Sequence, residues 1–209
     1  MCTRIWLLLN IMNHTTHHQI TTAVEELTAE RKEKLRVLVD FIKSRKRSKT
    51  NLIFICVHNS RRSHLSQVWA QIAADHYGHE YIHAYSGGTE VTAMYPKIAE
   101  TFIQQGFQVE TIAEGMNPVY CIKSEQNSLP IIGFSKLFDA PFNPQSDFGA
   151  VMVCSAADSN CPFISTAAQR ILIPFEDPKS SDGTEEQDEV YAKRSIEIAA
   201  HFFWVFQQI

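Results

Sequence analysis

The sequence predicts a single α/β domain, a small parallel β-sheet with helices on both faces, carrying an added N-terminal helix and an inserted β-hairpin. Three observations predict it. Short apolar runs at 52–55, 81–85, 150–154 and 171–175 are interleaved with amphipathic stretches, the rhythm of a parallel sheet whose crossovers are helices. The first run stops at Cys56, and a helical pattern begins within a few residues, so a strand feeds a short loop onto a helix N-terminus. The chain has 209 residues, 44% of them hydrophobic and 20% charged, which suits one domain with a substantial core.

The elements follow in order. Residues 1–20 read as a disordered leader, with Met12 as an alternative start. Its apolar run, Ile5 to Leu9, is too short for a signal peptide. His14, His17 and His18 fall in that leader and read as solvated. Thr22 to Glu25 has the form of a capping box, opening a helical extension over 21–48 that breaks near Thr28. Leu27, Leu35, Leu38, Phe41 and Ile42 form its apolar face, to pack on the main domain or on a second copy. The basic run Lys43 to Arg47 ends it as a linker. The main domain spans 51–209. Leu65, Val68, Trp69, Ile72 and Ala73 trace one helix face, and Gly78 supplies its stop. Pro96 opens the next helix, which runs to Gly106. Gln108 to Phe138 breaks the rhythm: Val119–Ile122 and Leu129–Phe134 flank a polar segment and read as a hairpin, within an insertion at about 112–134. Cys121 inside it reads as a small apolar filler. Glu185 to Ile209 is the closing helix.

The loop Cys56-Val57-His58-Asn59-Ser60-Arg61-Arg62-Ser63 carries the chemistry. Free backbone N–H groups and the helix dipole attract an anion at a helix N-terminus. The same field, with Arg62, favours the thiolate of Cys56. A thiolate beneath a cradle of donors suits attack on a tetrahedral oxyanion such as phosphate or arsenate. The loop is not a nucleotide P-loop, since it lacks the glycines and the Gly-Lys-Ser/Thr ending. Asp177, in Glu176-Asp177-Pro178 after the last strand, is a candidate general acid, stiffened by the proline that follows. Cys154 and Cys161, with six residues between them, are open to three readings: buried thiols, half a zinc site, or a redox pair. The zinc reading is poor, because no second pair with ligand spacing follows.

The segment Cys56 to Ser63 resembles the anion loop of the low-molecular-weight protein tyrosine phosphatases, a family that includes the thioredoxin-coupled arsenate reductases. The resemblance runs from about Asn51 to the C-terminus and implies a flavodoxin-like strand order. In Cys154-Ser-Ala-Ala-Asp-Ser-Asn160-Cys161-Pro162 it is closest to the reductases, which carry two cysteines at this spacing with Asn before the second and Pro after it. Lys179 to Asp182 follow Asp177-Pro178, where phosphotyrosine phosphatases tend to carry aromatics. The resemblance implies that Cys56 attacks the oxyanion, held by Arg62 and the amides of Val57, His58, Asn59, Ser60, Arg61 and Arg62. Ser63 hydrogen-bonds the thiolate, Asn59 shapes the loop and Asp177 is the acid. Cys154 then attacks arsenylated Cys56, and Cys161 resolves to a Cys154–Cys161 disulfide reduced by thioredoxin or a similar dithiol. Three positions depart from the pattern. Arg61 stands where many relatives have a second cysteine, and His58 replaces a common glycine. Gln67 replaces a glutamate that helps some reductases hold potassium, so no metal is expected.

Three function classes follow: an arsenate reductase, a phosphotyrosine or small-phosphoester phosphatase using Cys56, Arg62 and Asp177, and a non-catalytic oxyanion binder. No cofactor is expected beyond the thioredoxin-type reductant. Net charge is −4 with no basic stripe, which argues against nucleic acid as a partner. No apolar run is long enough to span a membrane. Five cysteines at irregular spacing are not a secreted disulfide framework, and a reactive thiol points to the cytoplasm.

Overall fold

The computed structural model describes residues 12–155, 157 and 163–209. Two helices come first, α1 (His14–Glu25) and α2 (Ala29–Ser44). The main domain then runs β1 (Thr50–Cys56), α3 (Arg62–His76), β2 (Ile82–Gly88), α4 (Pro96–Gln104), β3 (Gln108–Ala113), β4 (Val119–Lys123), β5 (Ile131–Gly133), β6 (Phe148–Met152), β7 (Ala167–Leu172), a 3₁₀ turn (Pro178–Ser181) and α5 (Gln187–Gln207). The main sheet is four-stranded, parallel throughout and ordered β2-β1-β6-β7, the flavodoxin-like arrangement. β1 is central and nearly all buried, as its unbroken apolar run requires.

Helices flank this sheet. Phe54 of β1 meets Phe202 of α5 edge-on, centroids 5.0 Å apart. Trp69 of α3 packs against Phe107 and Phe203, and its indole N–H donates to Ser195 Oγ at 2.8 Å. That hydroxyl in turn donates to Gln105 Oε1 at 2.8 Å, so the one polar edge of the largest core side chain is satisfied.

The N-terminal region is helical from His14, inside the stretch expected as leader. Its cap is Asn13, whose side chain accepts from Thr16 N at 2.8 Å, so Thr22 lies inside a helix and the capping box is unused. Asn13 wins because it also donates from Nδ2 to Gln104 O at the end of α4, at 2.8 Å. That tertiary bond leaves no local signature. The break near Thr28 is real: Thr28 caps α2 through Arg31 N at 3.2 Å. Residues 1–11, including Ile5 to Leu9, lie outside the described residues.

The region expected as an insertion carries a second, antiparallel sheet in the order β3-β4-β5, which begins at Gln108 rather than near 112. It contains the expected hairpin and one strand more. β3 escapes a sequence reading because it is almost wholly exposed, so no apolar alternation marks it. After β5 the chain returns along β2. Gly88 N donates to Lys136 O at 2.9 Å, and Phe138 N to Gly88 O at 3.0 Å. The approach requires glycine, since a Cβ on Gly87 would stand 2.4 Å from Phe138 Cα.

Candidate active site

Cys56 ends β1 and is 4% exposed. Its neighbour in the sheet, β6, carries Cys154 two residues past its own end. The loop between β1 and α3 is held by its carbonyls. Val57 O accepts from Glu90 N at 2.8 Å, His58 O from Ser135 Oγ at 2.9 Å and from Thr92 Oγ1 at 3.1 Å, and Ser60 O from Tyr95 N at 3.0 Å. Asn59 O pairs with His64 Nε2 at 2.9 Å. With these carbonyls committed to the surrounding chain, the opposed N–H groups of the trans peptide planes are left for an anion. Asn59 takes φ +44°, a left-handed conformation asparagine tolerates better than most residues. No side chain caps the N-terminus of α3, so its N–H groups add to the same cradle.

Ser63 Oγ lies 3.1 Å from Cys56 Sγ and accepts from Asn59 Nδ2 at 2.8 Å. The Asn59 bond fills a lone pair of the hydroxyl, so its proton is free to point at the sulfur. Both residues are completely buried, which makes that donation strong.

Arg62 donates from one terminal nitrogen to Phe175 O at 3.1 Å and from the other to Asp177 Oδ2 at 2.5 Å. Asp177 caps the 3₁₀ turn through Lys179 N at 3.1 Å. The two groups expected to clamp and to protonate the oxyanion therefore hold each other in the structure. Arg61 is engaged elsewhere: its Nε donates to Tyr191 Oη at 2.6 Å, its terminal nitrogen to Asp182 Oδ2 at 2.5 Å, and it lies over the Tyr95 ring at 4.1 Å. Its side chain braces the loop against α5 rather than lining an anion pocket. The His58 ring is half exposed and sits 3.4 Å from Glu90.

Cys154 is 1% exposed, and its sulfur accepts from Ala157 N at 3.3 Å. Burial pushes its thiol above the ordinary range, while the Ala157 N–H, the Arg62 charge and the Val57 N–H pull the other way and a charge on Cys56 adds to the rise. Met152 pairs with Ile55 across the sheet and Val153 N donates to Ile55 O at 2.9 Å, so Cys154 follows beside the end of β1, where Cys56 lies. Cys121 lies apart, half-buried in β4. Cys161, Asp158, Ser159, Asn160 and Pro162 lie outside the described residues. Among the described residues no three His, Cys, Asp or Glu side chains gather as a metal site. Gln67 Nε2 donates weakly to Ile132 O at 3.4 Å, and its Oε1 is buried without a partner.

Several residues at this site escape a sequence reading: Tyr95, Asp182 and Tyr191 around Arg61, and His64, Ser86 and Lys136 behind the loop. One signal was present. Lys136 sits in the mainly apolar run Ile131-Ile132-Gly133-Phe134-Ser135-Lys136-Leu137-Phe138, where a charge needs a reason.

No family model matches the chain. It is 29% identical over 140 residues to an arsenate reductase 2 of Staphylococcus epidermidis, covering 66% of this chain and 86% of the relative. It is 26% identical over 147 residues to an arsenate reductase of Bacillus licheniformis, covering 70% and 87%. A low-molecular-weight protein tyrosine phosphatase from T. tengcongensis aligns with TM-score 0.49 at 13% identity, over 77% of this chain and 99% of that one. The resemblance read from the loop and the cysteine pair thus extends to curated arsenate reductases along most of their length.

Proposed function

From that similarity and from the position of Cys154, we propose that the chain is an enzyme that reduces arsenate to arsenite. The single observation that carries the choice is a second buried thiol at the Cys56 loop. Hydrolysis of a phosphoester has no use for it, and reduction of arsenic requires one.

The placement of Cys56, Arg62, Asp177 and Cys154 supports a cycle that the resemblance completes with Cys161. An incoming arsenate takes over Arg62 from Asp177 and lies against the loop amides. The Cys56 thiolate attacks arsenic, and an oxygen leaves as water with the proton from Asp177, giving a Cys56–arsenate adduct. Cys154 attacks the Cys56 sulfur. The new S–S bond carries away the two electrons' worth of oxidation, and arsenic leaves as arsenite. Cys161 attacks the Cys154 sulfur, releasing Cys56 as thiolate and leaving a Cys154–Cys161 disulfide for a thioredoxin-type dithiol. Such a cycle runs in a reducing compartment, hence the cytoplasm. The raised Cys154 thiol keeps the relay quiet at rest, because the thiolate is the attacking form.

A second reading, a phosphotyrosine or small-phosphoester phosphatase, is favoured by the Arg62–Asp177 pair. Cys56, Arg62, Ser63 and Asp177 suffice for it without Cys154. The test is the mass of the protein after arsenate treatment without reductant, with its thiols mapped. A Cys154–Cys161 disulfide appearing in step with arsenite supports the reductase. Free thiols with an aryl phosphate still hydrolysed make the protein a phosphatase.

A further inference from the structure

Lys136 is 4% exposed, and no carboxylate among the described residues pairs with it. A buried ammonium without a counter-ion is costly, so its surroundings must supply compensation. They are polar but neutral. Nζ donates to Ser86 Oγ and to Phe134 O, both at 3.3 Å, and lies 4.4 Å from the Phe134 ring centroid and 5.2 Å from that of Phe142. Its backbone N–H donates to Asn59 Oδ1 at 2.9 Å.

Hydrogen-bond directions follow from that start. Ser86 Oγ accepts from Lys136, so its own proton faces His64 Nδ1, 3.3 Å away. His64 then carries its proton on Nε2 and donates it to Asn59 O at 2.9 Å. Asn59 is thus gripped at its carbonyl through His64 and at its side-chain oxygen by the Lys136 amide. Its Nδ2 is directed to Ser63, and Ser63 to Cys56. Every link is buried. Besides Cys56 at its far end, His64 is the titratable group in this network, two links from the ammonium through Ser86. It is held neutral, at about 3, by burial first and then by the Lys136 charge.

We propose that Lys136 is a positioning residue for the Cys56 loop, an internal cation that orients Asn59 and Ser63 and supplies the positive charge against which the Cys56 thiolate forms. This rests on Cys56 being the nucleophile. Burial brings the ammonium down to about 7, so its charge is present below neutrality and fades above it.

Coupling of this kind is reciprocal: whatever the ammonium does for the thiolate, the thiolate does for the ammonium. The test labels lysine with ¹³C and follows the Lys136 Cε resonance against pH in the wild type and in Cys56→Ser. The Lys136→Met variant assigns the peak. Removing the thiolate should make Lys136 release its proton about one pH unit lower, and Lys136→Met should slow iodoacetamide alkylation of Cys56 at pH 7 about tenfold. A Lys136 titration identical in wild type and Cys56→Ser overturns the proposal, because a merely structural lysine would not sense the sulfur's charge. If wild-type Cys56 is alkylated no faster than in the unfolded chain, the nucleophile assignment falls with it. Fast alkylation with an unmoved lysine sinks the lysine proposal alone.

Discussion

Asp177 and Arg62 are bonded to each other at 2.5 Å, and that contact frames the residue-scale chemistry. In the proposed cycle an arriving oxyanion replaces the Asp177 carboxylate on Arg62 and frees Asp177 to turn toward the leaving oxygen. Asp177→Asn should therefore slow the chemical step by about 10²–10⁴-fold, read as single-turnover arsenite release or aryl-phosphate hydrolysis, while oxyanion binding holds or tightens. An unchanged rate would remove Asp177 from the acid's role. Cys56, Arg62 and Ser63 stand out in the sequence because they sit in eight consecutive residues and obey local rules of strand, loop and helix N-terminus. Lys136 was not, because a lysine's burial depends on the return of the chain along β2, which no local pattern encodes. The bracing role of the Arg61 side chain was hidden for a similar reason. Its partners Tyr95, Asp182 and Tyr191 come from three other parts of the chain.

At the scale of elements, α2 is more than a covering layer. Arg31 of α2 donates from Nε to His201 Nε2 at 2.5 Å and from a terminal nitrogen to Pro174 O at 2.9 Å, with Phe175 under its guanidinium at 5.1 Å. Phe175 O in turn accepts from Arg62. The extension thus reaches the segment that leads into Asp177. Arg31→Met should leave the buried His201 nitrogen and Pro174 carbonyl unpaired, costing about 1–3 kcal/mol of stability, measured by urea unfolding. Turnover well below the unfolding temperature should fall several-fold as the Pro174–Asp177 segment loosens; intact turnover would mean that α2 stabilises the domain without bracing the acid. The amphipathic face of α2 was visible, and Leu35, Leu38 and Ile42 are indeed fully buried. The bracing contact was invisible, because Arg31 looks like any solvated helix residue until α5 is laid beside it.

At the scale of the whole molecule, three buried bases give stability a common dependence on pH. Burial lowers His201 to about 4, His64 to about 3 and Lys136 to about 7. Each folded-state value lies below its unfolded one, so the unfolded chain binds more protons between the two, and stability rises with pH across each window. The histidines act below about 6.5, and the lysine between about 7 and 10.5. Each group contributes a slope of about 1.4 kcal/mol per pH unit inside its window. The fold should therefore weaken steeply as pH drops from 6.5 toward 4, and keep gaining stability above neutrality where most domains level off. Urea unfolding of the wild type and of Lys136→Met from pH 6 to 9.5 separates the lysine's share. The variant should be the more stable of the two at pH 7–8, since an apolar side chain between Phe134 and Phe142 carries no desolvation cost. The gap should narrow as the wild-type lysine loses its proton. Parallel curves would mean that Lys136 titrates at its ordinary pH and its ammonium is not isolated. A more stable and less reactive variant would show the site to be maintained at the expense of the fold, as expected where a buried charge serves chemistry.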